Sequence, residues 1–165
     1  MINRSTIGFW IFGTIICFMV ACIVAPNYSP IPEISLLGIN KNRIDQGRIK
    51  DDTLQIKIDF TDGDGDIGDA QNKANIFMID NRDGKMITYS MPLIPQKGSS
   101  NGVKGTITIF HTTLLNVCCY YKNADPCTIP ANPMTDTVIY KLYIEDRSGN
   151  KSNEVTLNPI VINCK

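Results

Sequence analysis

From Thr53 to Phe60 the side chains alternate without a break: Leu54, Ile56, Ile58 and Phe60 are apolar, while Thr53, Gln55, Lys57 and Asp59 are polar. A period of two puts one class on each face of an extended strand, and no helix gathers such a pattern into a stripe. Further strands are expected at Ala74–Asp80 and Lys85–Met91, joined as a hairpin by the turn Asn81-Arg82-Asp83-Gly84. Val103–Phe110, Thr137–Glu145 and Val155–Ile162 are rich in β-branched and aromatic residues, and Ile34–Ile39 adds an opening strand. Only His111–Val117 offers as much as one helical turn. The sequence therefore predicts an all-β chain, an antiparallel immunoglobulin-like or fibronectin-III-like β-sandwich of about seven strands.

The N-terminal region sets the compartment. Arg4 precedes an apolar stretch from Ile7 to Val20, followed by the small residue Ala21 and then Cys22, which is the layout of an export signal. Met19-Val20-Ala21-Cys22 resembles the lipobox of bacterial lipoproteins, in which the cysteine becomes the fatty-acylated first residue. One acyl chain binds a membrane only marginally, so a lasting anchor at Cys22 needs several, such as palmitate. The alternative is an uncleaved membrane anchor, because the apolar run reaches Ala25 and so spans 19 residues. Arg4 is the only basic residue before Lys41, so both readings leave the rest of the chain outside the cytoplasm.

This division gives a signal peptide over 1–21, an extended tether over 22–33 and a β-sandwich domain over 34–165. The tether holds Pro26, Pro30 and Pro32 and one charge, Glu33, a composition that stays extended. The remaining length suits one compact domain. Basic and acidic residues number 16 each, so loss of Arg4 leaves a charge of about minus one, and no basic cluster marks a nucleic-acid partner.

Cys17 falls inside the signal. Cys118, Cys119, Cys127 and Cys164 remain in the domain, and in an oxidising compartment an even set reads as two disulfides. A bridge between the neighbours Cys118 and Cys119 would strain the peptide between them. The favoured pairing is Cys119 with Cys127 and Cys118 with Cys164; exchanging the first two partners is the open alternative. A four-thiolate zinc site lacks paired C-x-x-C knuckles, and the single histidine, His111, lies outside the cluster.

The segment with the clearest chemistry is Phe60–Asp69, FTDGDGDIGD, directly after the alternating strand. Asp62, Asp64, Asp66 and Asp69 crowd a loop whose glycines allow sharp turns. Two unit charges ~4 Å apart repel by about 1 kcal/mol in water and about 4 kcal/mol at an effective dielectric of 20, so a tight loop calls for a cation. Calcium is the expected ion: it is hard, takes six to eight oxygens and is abundant outside cells. The loop is not an EF-hand, since Ile67 stands where the sixth-place glycine belongs and Lys73 where the bidentate glutamate belongs. Asp146, Asn150, Asp80 and Asp83 are candidates for further oxygens. The competing reading is a solvated acidic turn.

FTDGDGDIG, the hairpin segment IDNRDG and the late YIEDRSGNKSNEV together resemble a family of uncharacterised Bacteroidota lipoproteins with an immunoglobulin-like sandwich. The resemblance covers about Ile34 to Ile162 and implies that fold and a lipid-anchored place at the outer membrane; it carries over no activity. Surface-exposed lipoproteins of this group often carry acidic residues just after the lipidated cysteine. Ile23 to Asn27 offers none, which by that resemblance favours a periplasm-facing protein.

No enzyme is expected. His111 has no nucleophile elbow near it in sequence, the aspartates share one loop instead of facing across a cleft, and the acids around G-D-G-D-I-G would repel phosphate. Two functions remain: an interaction or scaffold module holding another envelope protein, with calcium stiffening one end, or a glycan-binding module. In the second, Tyr120, Tyr121, Tyr140 or Tyr143 would stack on sugar rings.

Overall fold

The computed structural model describes residues 27–47, 52–95, 102–114, 116–121, 123–132 and 134–164. The expected signal peptide and its lipidation site, Cys22, lie outside them. The described residues form ten strands and no helix. They are β1 (Glu33–Ile39), β2 (Arg43–Asp45), β3 (Thr53–Asp62), β4 (Ile76–Asp80), β5 (Met86–Tyr89), β6 (Val103–Thr112), β7 (Met134–Val138), β8 (Tyr140–Ile144), β9 (Val155–Thr156) and β10 (Ile160–Cys164).

Three small sheets result, ordered β1-β3-β6, β2-β10-β7 and β5-β4-β8-β9. All pairings between strands are antiparallel except that of β10 with β2. The alternation of β3 does what its period dictates, since Leu54, Ile56 and Ile58 are fully buried and Phe60 nearly so. These side chains join Ile34 of β1, Ile76 of β4, Val138 of β7, Leu142 of β8 and Ile160 of β10 in one apolar core fed by all three sheets.

The strand count exceeds seven because two expected strands are broken and β2 is a further short strand that the sequence did not mark. The stretch Thr137–Glu145 changes sheet at Ile139: β7 pairs with β10, β8 pairs with β4, and Asn81 secures the crossing residue. The Asn81 amide donates to the Ile139 carbonyl at 3.1 Å, and the Ile139 amide donates to Asn81 Oδ1 at 3.2 Å. The stretch Val155–Ile162 breaks between β9 and β10, where Pro159 has no N–H to give a ladder. The hairpin of β4 and β5 is as expected, with Gly84 at φ 75° closing its turn. The helical turn expected after His111 reduces to Asn116 and Val117 donating to the Thr113 carbonyl.

Both disulfides follow the alternative pairing, Cys118 with Cys127 and Cys119 with Cys164. The favoured pairing fails because neighbours in extended chain face opposite ways. Cys119 points into the core and is fully buried beside buried Cys164, whereas Cys118 and Cys127 are half-buried outside it. With all four sulfurs bridged, the zinc alternative is removed. Two disulfides point to an extracytoplasmic chain.

Of the stretch before the domain, the structure describes Asn27 onward. Glu33 already pairs with Thr61 in the first sheet, Pro32 is buried, and the Gly63 amide donates to the Ser29 carbonyl at 2.7 Å. Ser29, Pro32 and Glu33 thus meet the domain, while Asn27, Pro30 and Ile31 remain exposed.

Candidate metal centre

Asp62 is the last residue of β3 and occupies the next inward position after Leu54, Ile56, Ile58 and Phe60. The strand thus drives a carboxylate to a core position, where it is fully buried. Beyond it the chain turns through Gly63, Asp64, Gly65 and Asp66, with Gly65 in the left-handed region at φ 68°. Fully buried Ile67 pins the far side of the turn, and Gly68, at φ 80°, packs too closely against the Pro92 carbonyl to admit a side chain. Anchored at both ends, the loop folds its acids inward.

The fourth carboxylate comes from elsewhere. After β8 the chain makes a second turn, Asp146–Asn150, in which the Asn150 amide donates to Asp146 Oδ1 at 2.7 Å and its side-chain amide to Oδ2 at 2.8 Å. This turn is fastened to the acidic loop through Ser148 and Arg147. Ser148 Oγ donates to Asp66 Oδ2 at 2.7 Å, the Arg147 amide to the Asp66 carbonyl at 3.3 Å, and the Arg147 guanidinium to the Gly68 carbonyl at 3.0 Å.

Oxygens of Asp62, Asp64, Asp66 and Asp146 consequently lie within 4.8 Å of one another, a partly buried cluster that can hold a metal ion such as calcium. Neither oxygen of Asp62 has a hydrogen-bond partner of normal geometry, and the same holds for Oδ1 of Asp66. Burial, and then the charges of Asp64, Asp66 and Asp146, push the Asp62 carboxyl up to about 6, offset only in part by the Asp66 amide. A buried acceptor left without a donor costs about 1–3 kcal/mol, and more when charged, so the geometry fits a cation among these oxygens better than a solvated turn. Four carboxylates supply between four and eight oxygens, the range hard divalent ions use.

Asp69 is not part of the cluster. Its Oδ1 accepts the amides of Gln71 at 2.7 Å and Lys73 at 3.4 Å, and its own amide donates to the Met91 carbonyl at 3.0 Å, so it shapes the following turn. Of the other candidate donors, only Asp146 joins the cluster. Asn150 donates to both oxygens of Asp146, Asp80 is bound by Arg82, and Asp83 accepts from the Tyr120 hydroxyl at 2.6 Å. Two signals for this arrangement were present in the chain: the period of β3 extended one step makes Asp62 an inward residue, and D-R-S-G-N is a second compact turn with an acidic lead residue.

The other residues singled out from sequence have structural surroundings. His111 is fully buried, with its Nδ1 2.6 Å from the Tyr89 hydroxyl and its ring edge-on to Tyr140 at 5.4 Å. Burial depresses its pKa to about 4, so the ring is neutral under ordinary conditions. Of the four tyrosines, Tyr140 is fully buried and Tyr143 is stacked on Phe77 and covered by the Lys151 ammonium. The ring of Tyr120 carries the Arg82 guanidinium at 4.4 Å, and the Tyr121 hydroxyl donates to the Thr128 carbonyl.

No protein-family model, no curated protein and no solved structure matches this chain.

Proposed function

We propose that this chain is a lipid-anchored module of the bacterial cell envelope, held at the outer membrane through Cys22 and facing the periplasm. It performs no catalysis, and its task is to hold another envelope protein, with calcium stiffening one end of the domain. We read its strands as an immunoglobulin-like sandwich, supported by the single core to which the three sheets contribute. The anchor rests on the Met19-Val20-Ala21-Cys22 sequence, and the compartment on the disulfides.

The observation that carries the calcium reading is the Asp62 carboxylate, fully buried, with neither oxygen holding a hydrogen bond of normal geometry, and surrounded by three more acids. A glycan-binding function has less support, because the rings of Tyr120, Tyr140 and Tyr143 are buried or covered by Arg82 and Lys151, and Tyr121 is partly buried against the core.

Titration calorimetry and thermal melting of the full chain, purified from membranes in detergent, test this reading. Free calcium at about 100 times its Kd is expected to stabilise the fold by about 2.7 kcal/mol, visible as a melting temperature several degrees above that in chelator. Identical melts and no heat of binding would remove calcium from the account. Capture of an envelope protein by the anchored chain, against binding to a glycan array, separates the two functions.

A further inference from the structure

Gly63 sits between two residues of the acidic cluster, and its backbone is the point at which the incoming chain touches that loop. Its amide donates to the Ser29 carbonyl at 2.7 Å, two residues beyond the place where Glu33 pairs with Thr61. A Cβ at Gly63 would come within 2.4 Å of the Tyr28 carbonyl oxygen and 2.7 Å of the Ser29 carbonyl carbon. The contact is therefore closed backbone against backbone. The segment folds on itself there, with the Ile31 amide donating to Ser29 Oγ at 3.0 Å, and then buries Pro32.

The orientation of the peptide from Asp62 to Asp64 depends on both carboxylates turning inward. A cation among them favours that arrangement, and without one their mutual repulsion opposes it. Fully buried Asp62, with neither oxygen holding a hydrogen bond of normal geometry, is the member whose position depends most on the ion.

We infer that the cation held by Asp62, Asp64, Asp66 and Asp146 governs docking of the lead-in segment Tyr28–Pro32 onto the domain, so that ion occupancy sets how the domain is held by the chain that precedes it. The inference rests on the cation reading proposed above. Coupling of this kind is reciprocal: the ion tightens the segment, and the docked segment raises the affinity for the ion by the same factor.

Hydrogen exchange followed by mass spectrometry on the full chain in detergent, in saturating calcium and in chelator, tests this directly. The peptide covering Tyr28–Ile34 is expected to exchange about tenfold more slowly with calcium, a larger change than in the Ile160–Cys164 strand of another sheet. Calcium binding measured by calorimetry with no selective slowing of that peptide overturns the coupling and leaves the cation site standing. Absence of any calcium binding overturns both. A second, independent arm uses Gly63→Ala. Gly63 does not adopt a left-handed φ, so alanine is blocked only by the Tyr28 and Ser29 backbone. The variant is expected to free the segment and to weaken calcium binding about fivefold without altering a carboxylate. Full affinity with a freed segment would overturn the inference, and the wild-type exchange comparison stands whether or not the variant folds.

Discussion

Asp62 and Asp146, from the end of β3 and the turn after β8, bring carboxylate oxygens within 4.8 Å of each other. The loop that is rich in aspartate does not complete the cluster alone. Asp146→Asn is therefore expected to weaken calcium binding by about tenfold or more, since affinity in such sites follows the number of charged ligands. Asp69→Asn is expected to change it less than about twofold, because asparagine keeps the oxygen that accepts from Gln71 and Lys73. Calorimetric titration of the two variants side by side decides this, and equal losses would restore Asp69 to the site.

Much of this was legible in the residues themselves. The strict period of β3 and the turn at Gly84 marked the central strand of the first sheet and the β4–β5 hairpin, because local patterning decides them, whereas the pairing of β3 with β1 and β6 was not legible. The break at Ile139 was not legible, since β7 and β8 read as one apolar run and only the docking of Asn81 separates them. Asp62, Asp64 and Asp66 lie together because one tight turn contains them. The partnership with Asp146 depends on tertiary contacts of Ser148 and Arg147, which spacing does not encode.

His111 makes stability depend on pH. Its pKa is about 4 in the fold and about 6.5 in the unfolded chain, so the unfolded state takes up the proton first. The contribution is complete above pH ~6.5 and is lost as pH falls towards ~4, by about 3 kcal/mol across that window. Urea unfolding of wild type and His111→Gln at pH 7 and pH 4 should show the stability gap shifting against wild type by that order. A pH-independent gap would contradict the buried neutral ring.

The disulfides are expected to differ in weight. Cys119–Cys164 spans 45 residues and Cys118–Cys127 spans 9. Loop-closure entropy assigns them about 4 and about 2.5 kcal/mol respectively. Replacing Cys119 and Cys164 by alanine also hollows a buried site, so this pair should lower the urea midpoint more than Cys118→Ala with Cys127→Ala. The reverse order would contradict the burial pattern.

Arg82 joins the β4–β5 turn to the cysteine segment. Its guanidinium donates to both Asp80 oxygens, to Asp136 Oδ2 at 2.6 Å and to the Cys118 carbonyl at 2.9 Å. Arg82→Ala leaves buried Asp80 without its cation and is expected to cost about 3–5 kcal/mol. Arg82→Lys keeps the charge and loses the planar fork, so it should recover only part of that loss in denaturant unfolding. Wild-type stability in the lysine variant would show that charge alone suffices.

The place of β10 between β2 and β7 has a consequence for the order in which the molecule assembles. Arg43–Asp45 borders a strand that arrives more than a hundred residues later, in parallel register. A ribosome or translocon delivering the polypeptide from its amino end must therefore leave that early edge waiting, and the most distant contact is the one on which completion of the second sheet depends. Nascent chains stalled before Ile160 would present an unfinished surface to chaperones, whereas release of a few further residues would let it close.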